Sequence, residues 1–450
     1  MNRYSSKKTP TPFQATITGL SHEGRGIAIL NGKKKFLRNS LTGETVLAVN
    51  THTHSTYDEG EAIEILTASP QRVTPLCPHT YFCGGCSLQH LETEAQMLFK
   101  QAVLMEQLKH IADIEPKNIL PPLRSPAFGY RHKARLSVKY VAAKQKILVG
   151  FREKNGRYLA DIESCAVLHP AVGQKITALS QLIQNLEASC SIAQIEVAID
   201  DQTVALIFRH LQPLSAKDIQ ALIVFGQQES MRIYLQPGGM DSVHPIDANE
   251  ELLYYELPKH HIRLQFHPMT FTQVNPYVNR QMVDQAIQLL QPTLQDNILD
   301  LFCGLGNFTL PLARYCQRVV GVEGEKKSVE LAIANAKLNH IQNADFYQAD
   351  LNKDFSTLPF MGCRFNKILL DPPRTGALEA INIIVKLNPK MILYVSCNPA
   401  TLARDAKVLA EHGYQLTDAG VMDMFPHTSH VESMALFIAR LRTTKVKDYV

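Results

Sequence analysis

A thiol, a carboxylate and a glycine turn followed by spaced acids are the groups in this chain that could carry a reaction. The thiol is Cys397. It ends the apolar run Met391-Ile-Leu-Tyr-Val-Ser396 and is followed by Asn398 and Pro399. The run reads as a buried strand, and the proline stops it and turns the chain. Cys397 is therefore presented at a strand's carboxyl end, where open α/β sheets bind their ligands. A nucleophilic cysteine needs such a place; an ordinary buried thiol is the competing reading.

The turn lies in Ile298-Leu-Asp-Leu-Phe-Cys-Gly-Leu-Gly-Asn-Phe308. Gly304 and Gly306 let the backbone come close to a ligand where the next helix begins. The following apolar run ends Val320-Gly-Val-Glu323, and an acid about twenty residues after the first glycine suits a ribose diol. A third run is followed by Gln348-Ala-Asp350, an acid placed to read an adenine amino group. No third glycine is spaced to bring a helix against a pyrophosphate, and Asp300 would repel phosphates while suiting a sulfonium. The pattern fits S-adenosylmethionine better than NAD, with another nucleotide on a generic α/β enzyme as the alternative.

A fourth run ends Asp371-Pro-Pro-Arg374, the position where methyltransferases hold the acceptor. With a cysteine one strand later, the acceptor that fits is the unreactive C5 of a pyrimidine. C5 becomes nucleophilic only when something adds at C6, and a thiolate can add there and later leave. Surroundings that lower the pKa of Cys397 are expected. The reaction also needs a base for the C5 proton. Met424-Phe-Pro-His-Thr-Ser-His-Val-Glu-Ser433 offers Glu432, with His427 and His430 nearby; no cysteine stands beside the histidines to complete a metal site. Cys303 competes for the nucleophile's role, but its place inside the glycine loop favours packing. A cytosine-5 methyltransferase and a noncatalytic RNA-binding assembly factor are the rival readings.

Three further thiols crowd one loop, Cys77-Pro-His-Thr-Tyr-Phe-Cys83-Gly-Gly-Cys86, and Cys165 in Ile162-Glu-Ser-Cys-Ala-Val-Leu-His-Pro170 is the candidate fourth. Four thiolates bind zinc or an iron–sulfur cluster, and spacing alone does not choose between them. Nine cysteines in a chain expected to stay in the reducing cytosol point to metal or catalysis more than to disulfides.

These groups need elements to hold them. At 450 residues, 45% hydrophobic and 20% charged, the chain has the composition of a globular protein of two or three domains. No apolar stretch approaches a membrane span, and no signal-peptide core follows the N-terminal charges. A net charge of +4 decides little, but residues 1–40 hold eight Lys or Arg against one acid, Glu23. That density suits either a solvated face or a phosphate-contacting surface. Residues 12–66 alternate as a small all-β module, with a basic hairpin tip at Gly32 and Lys33 to Lys35. Residues 95–112 follow helical spacing. Residues 126–265 mix strands (134–141, 147–151, 194–198 and 204–209) with a helix near 171–187, an α+β pattern. From about 275, strands at 297–302, 318–322, 345–348, 367–371 and 391–396 alternate with helices as in a doubly wound parallel sheet.

Four motifs carry a resemblance: Asp300-Leu-Phe-Cys-Gly-Leu-Gly-Asn-Phe308, Asp371-Pro-Pro-Arg374, Tyr394-Val-Ser-Cys-Asn-Pro-Ala-Thr-Leu-Ala-Arg-Asp405 and Phe425-Pro-His-Thr-Ser-His-Val-Glu-Ser433. In this order, across residues 271–438, they resemble the RNA uracil-5-methyltransferase family. The resemblance implies S-adenosylmethionine as methyl donor, Cys397 as the nucleophile at C6 and Glu432 as the base at C5. It also implies donor contacts from Gln273, Phe302, Asn307, Glu323, Asp350 and Asp371. Ser429 stands where many members have glycine.

The cysteine loop, continuing into Ser87-Leu-Gln-His90, is similar to the [4Fe–4S] motif of the family's 23S ribosomal RNA branch. That implies Cys77, Cys83, Cys86 and Cys165 as cluster ligands. Residues 12–66 resemble a TRAM domain. Phe128-Gly-Tyr-Arg-His-Lys-Ala-Arg-Leu-Ser137 resembles the family's central motif, whose basic residues would contact RNA backbone. The implied fold is multidomain. Residues 12–70 form a TRAM- or OB-like β-barrel, 71–265 an α+β domain with the iron–sulfur cluster, and 266–450 a Rossmann-like class I methyltransferase domain. The implied protein is a cytoplasmic monomer that methylates a uridine of 23S ribosomal RNA and needs neither a membrane nor an obligate protein partner.

Overall fold

The computed structural model describes residues 11–154, 156–247 and 251–440. Arg3, Lys7 and Lys8 of the basic segment lie outside them, as do residues 441–450 of the expected methyltransferase segment. The described residues pack as two units, one of 11–100, 152–154, 156–160 and 425–430, the other of 101–151, 161–247, 251–424 and 431–440.

In the first unit, alternating apolar residues build six strands. They are β1 (Phe13–Thr16), β2 (Gly19–Leu20), β3 (Gly26–Leu30), β4 (Lys33–Arg38), β5 (Thr45–Thr53) and β6 (Tyr57–Thr67). One sheet holds them in the order β1-β5-β6-β4-β3-β2. Its inner face buries Ala15, Ile17, Ala28, Leu37, Val46, Ala48 and Ala62. The β5–β6 ladder shifts register at three points, and each such irregularity bends the strand. The hairpin tip expected at Gly32 is present, with Asn31 and Gly32 both at positive φ as a two-residue turn requires.

Its charge, however, is largely spent inside the unit. Lys33 and Lys35 share Asp58 at 2.6 and 2.8 Å, and Arg25 meets Glu59 at 2.9 Å and also Glu23. Lys34 is exposed. The expected cationic tip is therefore mostly a set of neutralised pairs. The segment 425–430 is anchored in this unit: the His427 carbonyl accepts from Ser87 N at 3.0 Å and Leu88 N at 2.9 Å, and Lys100 Nζ donates to the Phe425 carbonyl at 3.0 Å.

Helix α1 (Thr93–Gln107) leads into the second unit and ends in a π turn over Leu108–Ala112. There follow β7 (Asn118–Ile119), β8 (Lys133–Val141), β9 (Lys146–Gly150), α2 (Pro170–Gly173), α3 (Ile176–Gln184), β10 (Ile192–Ile199), β11 (Val204–His210), α4 (Ala216–Glu229), β12 (Met231–Gln236) and β13 (His244–Pro245). A sheet in the order β13-β12-β11-β10-β8-β9 results, antiparallel except where α4 carries the chain from β11 to a parallel β12. A hairpin, β14 (Leu253–Leu257) with β15 (Ile262–Phe266), precedes α5 (Pro276–Leu290).

The rest alternates: β16 (Asn297–Leu301), α6 (Thr309–Ala313), β17 (Arg318–Glu323), α7 (Lys326–Leu338), β18 (Ala344–Gln348), β19 (Lys367–Leu370), α8 (Leu378–Ile384), β20 (Met391–Ser396), α9 (Pro399–Glu411), β21 (Tyr414–Met422) and β22 (Glu432–Ala439). The sheet order is β18-β17-β16-β19-β20-β22-β21-β7. Strands β16 to β20 are mutually parallel, and β22 slots antiparallel between β20 and β21. Ile298, Leu299, Val319, Val320, Ile368, Leu369, Ile392 and Leu393 are fully buried, as unbroken apolar runs covered on both faces should be. The chain order reverses between β16 and β19, so ligands belong beyond the carboxyl ends of β16, β17 and β19.

Candidate active site

Strand β20 ends at Ser396, and two side chains shape the turn beyond it. Ser396 Oγ donates to the Asn398 carbonyl at 3.0 Å and accepts from Asn398 N at 3.1 Å. Asn398 caps α9 by accepting from Ala400 N at 3.1 Å. Pro399 takes the first helical position, where its missing N–H costs nothing. Cys397 sits between strand end and cap. Register supplies its neighbour: Ser396 pairs with Ser433, so Cys397 comes to the register position of Glu432, the first residue of β22.

Burial, and then the charges of Glu432 and Asp371, push the Cys397 thiol up to about 11, with Arg374 opposing them. This corrects the expectation of a lowered pKa. A half-buried thiol between two carboxylates is stabilised in its neutral form.

The loop carrying Asp371 and Arg374 is tied to α9. Buried Asp405 accepts from Tyr394 Oη at 2.7 Å, Ala377 N at 2.7 Å and Arg404 Nε at 2.8 Å. Arg404 Nη2 donates to the Thr375 carbonyl at 3.0 Å, and Asn398 Nδ2 and Thr401 Oγ1 donate to the Arg374 carbonyl at 3.1 and 3.3 Å. Gly376 closes the loop at φ 80°; a Cβ there would lie 2.5 Å from Arg404 Nη2 and 2.7 Å from Asp405 Oδ2. The long motif from Tyr394 to Asp405 thus has two jobs. It presents Cys397, and it holds the Asp371–Gly376 loop beside it.

Asp300, on β16, is wholly buried. Its Oδ2 accepts from Thr309 Oγ1 at 2.5 Å, while its Oδ1 is buried without a hydrogen-bond partner. Burial pushes Asp300 up to about 8, with the charges of Asp371 and Glu323 adding to it. Asp371 is pushed up to about 7 by burial and by Glu323. Glu323 accepts from Gly304 N at 3.1 Å and from Glu325 N at 2.9 Å, which fastens the glycine turn to the end of β17. Phe302 takes φ 64°, a left-handed conformation that an aromatic residue adopts only when its surroundings enforce it. Three crowded carboxylates with an orphaned buried oxygen fit a cation and repel a phosphate. The set therefore fits S-adenosylmethionine, whose sulfonium and ammonium are positive.

Asn307 is held by residues the sequence did not single out. It exchanges hydrogen bonds with Asn279 of α5 at 2.9 and 3.0 Å, and its Oδ1 accepts from Tyr255 Oη of β14 at 2.8 Å. Asn279 lies 28 residues before Asn307, and only the fold brings it to the glycine turn. Gln273 lies half-buried in the loop before α5. Asp350 is exposed beyond β18, with its carboxylate on Lys353 at 3.0 Å and Asn352 N at 3.1 Å. Glu323, Asp300, Asp371, Cys397 and Glu432 thus form one electrostatic neighbourhood, while Gln273 and Asp350 lie in the loops before α5 and after β18. Cys303 is buried, and a Cβ built on Gly321 would lie 2.9 Å from its Sγ, a packing position.

Cys77, Cys83 and Cys86 lie half-buried in the first unit and Cys165 half-buried in the second, none of them in a disulfide. Among the described residues no group of three or more His, Cys, Asp or Glu side chains comes close enough to hold a metal ion. The donor set has cluster chemistry, but its geometry is not gathered. Among the described residues, too, no helix is long and apolar enough to cross a membrane.

The doubly wound sheet with its antiparallel β22, the glycine turn and the acid-lined strand ends define a methyltransferase fold. A solved structure of the tRNA (uracil-54, C5)-methyltransferase of Pyrococcus abyssi with S-adenosyl-L-homocysteine shares it, with TM-score 0.72 and 24% identity over 95% of this chain and 100% of that one. Residues 123–440 match the model of the tRNA (uracil-5-)-methyltransferase family, and the chain belongs to that family. Proteins named 23S rRNA (uracil(1939)-C(5))-methyltransferase RlmD are similar to it nearly end to end. That of Alcanivorax borkumensis is 50% identical over 97% of this chain and 99% of its own. That of Legionella pneumophila strain Paris is 49% identical over the same shares, and that of Xanthomonas campestris 48% over 98% and 100%.

Proposed function

We propose that this chain transfers a methyl group from S-adenosylmethionine to C5 of a uridine in 23S ribosomal RNA, the uridine at position 1939 in the numbering of its relatives' names. The observation that carries the reading is the register that sets Glu432 beside Cys397, over a cluster of carboxylates suited to a cationic methyl donor. Bound donor supplies an electrophilic methyl and a positive charge. Asp300, Glu323 and Asp371 hold it, with Gln273, Phe302, Asn307 and Asp350 completing its contacts.

The target base swings out of its stack into the pocket. Cys397 Sγ bonds to C6, and C5 takes the methyl as the S–CH3 bond breaks. Glu432 accepts the C5 proton, and the C6–S bond breaks to release 5-methyluridine and the thiolate. Residues 12–70 as a TRAM-like barrel and 71–265 as an α+β domain with a [4Fe–4S] cluster on Cys77, Cys83, Cys86 and Cys165 complete the proposal. The methyl transfer needs no electron, so the cluster's part is structural or RNA-contacting. The protein acts as a monomer in the cytoplasm.

The test is transfer of labelled methyl to 23S ribosomal RNA, transfer RNA and cytosine-bearing variants of the target, with mass spectrometry of the product. Label in 5-methyluridine of 23S RNA is expected; label only in transfer RNA or in 5-methylcytidine would overturn the assignment. Cys397→Ser should keep RNA binding and lose turnover. Iron and sulfide analysis of anaerobically prepared protein, with the Cys83→Ala variant, tests the cluster.

A further inference from the structure

The first unit contains a cavity that the methyl transfer leaves unused. It encloses about 230 Å³. At roughly 30 Å³ per water that is room for a handful of waters, the scale of one flat ring system, and far too little for a folded segment. Of the loop cysteines only Cys86 reaches it, so it is not the thiols' own cradle. One wall is apolar, with Ile63 and Ile65, and Lys154 supplies a cation on another. Tyr81 lines it too and is 70% exposed, an aromatic face without a cover.

His90 is the informative group. It lines the cavity and is only 6% exposed, yet its Nε2 is buried with no hydrogen-bond partner. A neutral imidazole carries one donor and one acceptor nitrogen, so a base edge, which offers both N–H and acceptor groups, can complete Nε2 in either tautomer. A buried polar nitrogen without a partner costs stability, and such a group in a native fold calls for a ligand that completes it.

We propose that this cavity takes one unpaired base of the substrate RNA, a base whose hydrogen-bonding edge completes His90 Nε2 and whose ring stacks on Tyr81. Lys154 then meets a ring carbonyl or the nucleotide's phosphate. The uracil being methylated must lie at Cys397, so the occupant is another nucleotide. The inference rests on the ribosomal RNA reading above and deepens it, since it gives the first unit a base-reading role besides backbone contacts.

The experiment scans a 23S RNA fragment containing the target uridine with single abasic substitutions, using full-length protein. With the wild type, one position outside the target should lose about ten-fold in affinity, as loss of a stacked base does. His90→Leu and Tyr81→Ala should each show a comparable loss on intact RNA, and the abasic substitution should cost them little more. The kcat at saturating RNA and the S-adenosylmethionine affinity should stay unchanged. Tyr81→Ala alters an exposed side chain, so it answers even if His90→Leu folds poorly. Absence of any position whose effect vanishes in the variants overturns the proposal. So does coupling to a 2′-deoxy substitution in place of an abasic one, since that would make the partner a ribose hydroxyl. Methylation by the wild type is scored in the same series. A wrong RNA then shows as no methylation, and a wrong cavity as normal methylation without coupling.

Discussion

Glu432 and Cys397 oppose each other's ionisation, and that coupling is measurable. With the thiol near 11, only on the order of one in ten thousand is thiolate at pH 7 in the ligand-free protein. Glu432→Gln removes one of the charges that raise it. Alkylation of Cys397 by iodoacetamide at pH 8 should therefore be faster in the variant, while turnover collapses. Without a base for the C5 proton, the C6–S bond has no route to break. A Cys397–RNA adduct stable to denaturing electrophoresis should accumulate with that variant. Slower alkylation, or free RNA as the sole product, would remove Glu432 from the proposed role. Lys35 makes a second residue-scale case. It is 6% exposed and shares Asp58 with Lys33, so Lys35→Ala should lower stability in denaturant unfolding through lost stem packing and one lost charge-assisted hydrogen bond, while Lys33 keeps Asp58 paired. Exposed Lys34→Ala should cost under about 0.5 kcal/mol.

At the scale of elements, the Asp371–Gly376 loop and α9 behave as one piece. Gly376→Ala forces a Cβ into Arg404 and Asp405 at an unfavourable φ and should cost about 1–3 kcal/mol in thermal unfolding, with a larger fall in activity because Arg374 moves with the loop. Equal activity in that variant would show that the loop's placement is immaterial. The parallel strands were legible in the sequence because a strand covered on both faces is an unbroken apolar run. The motifs were legible because glycine, proline and acids punctuate strand ends. The ties that hold the site were not. Asp405 and Arg404 sit at neighbouring positions of a helix whose pattern announces only amphipathicity, and Tyr255 and Asn279 reach Asn307 across 52 and 28 residues. The ionisation of Cys397 was misjudged for the same reason: it depends first on burial and then on Glu432 and Asp371, an environment that only the folded sheet creates. Lys33 and Lys35 read as a free cationic tip until β6 brought Asp58 beneath them.

For the whole molecule, the buried acids make stability and donor binding depend on pH. Asp300 and Asp371 ionise near 8 and 7 in the folded state, against about 4 in the unfolded chain. The folded state therefore binds more protons. The stability these two groups contribute is complete below about pH 4, falls progressively as pH rises, and is gone once pH passes 7 to 8. Their contribution to the Tm of the ligand-free protein should fall between about pH 4 and 8, and Asp300→Asn should flatten the fall. A cationic ligand drives the protons off. Affinity for S-adenosylmethionine should thus rise over this window, with proton release seen by calorimetry in buffers of different ionisation enthalpy. S-adenosylhomocysteine, lacking the sulfonium, should depend on pH less. Equal pH dependence for the two would separate the carboxylate cluster from the donor's charge.

The large sheet ends in β7, two residues that lie 300 positions upstream of their partners on β21. That small strand makes the catalytic half of the chain a poor candidate for excision. A fragment begun at residue 266 would carry every group in the reaction, yet would leave β21 as a bare edge whose unpaired N–H and C=O groups invite other chains. It should self-associate more than the full chain does at the same concentration. A lineage that shortened this protein from its N-terminus would have had to keep those two residues, or cover that edge anew, before it could shed the rest.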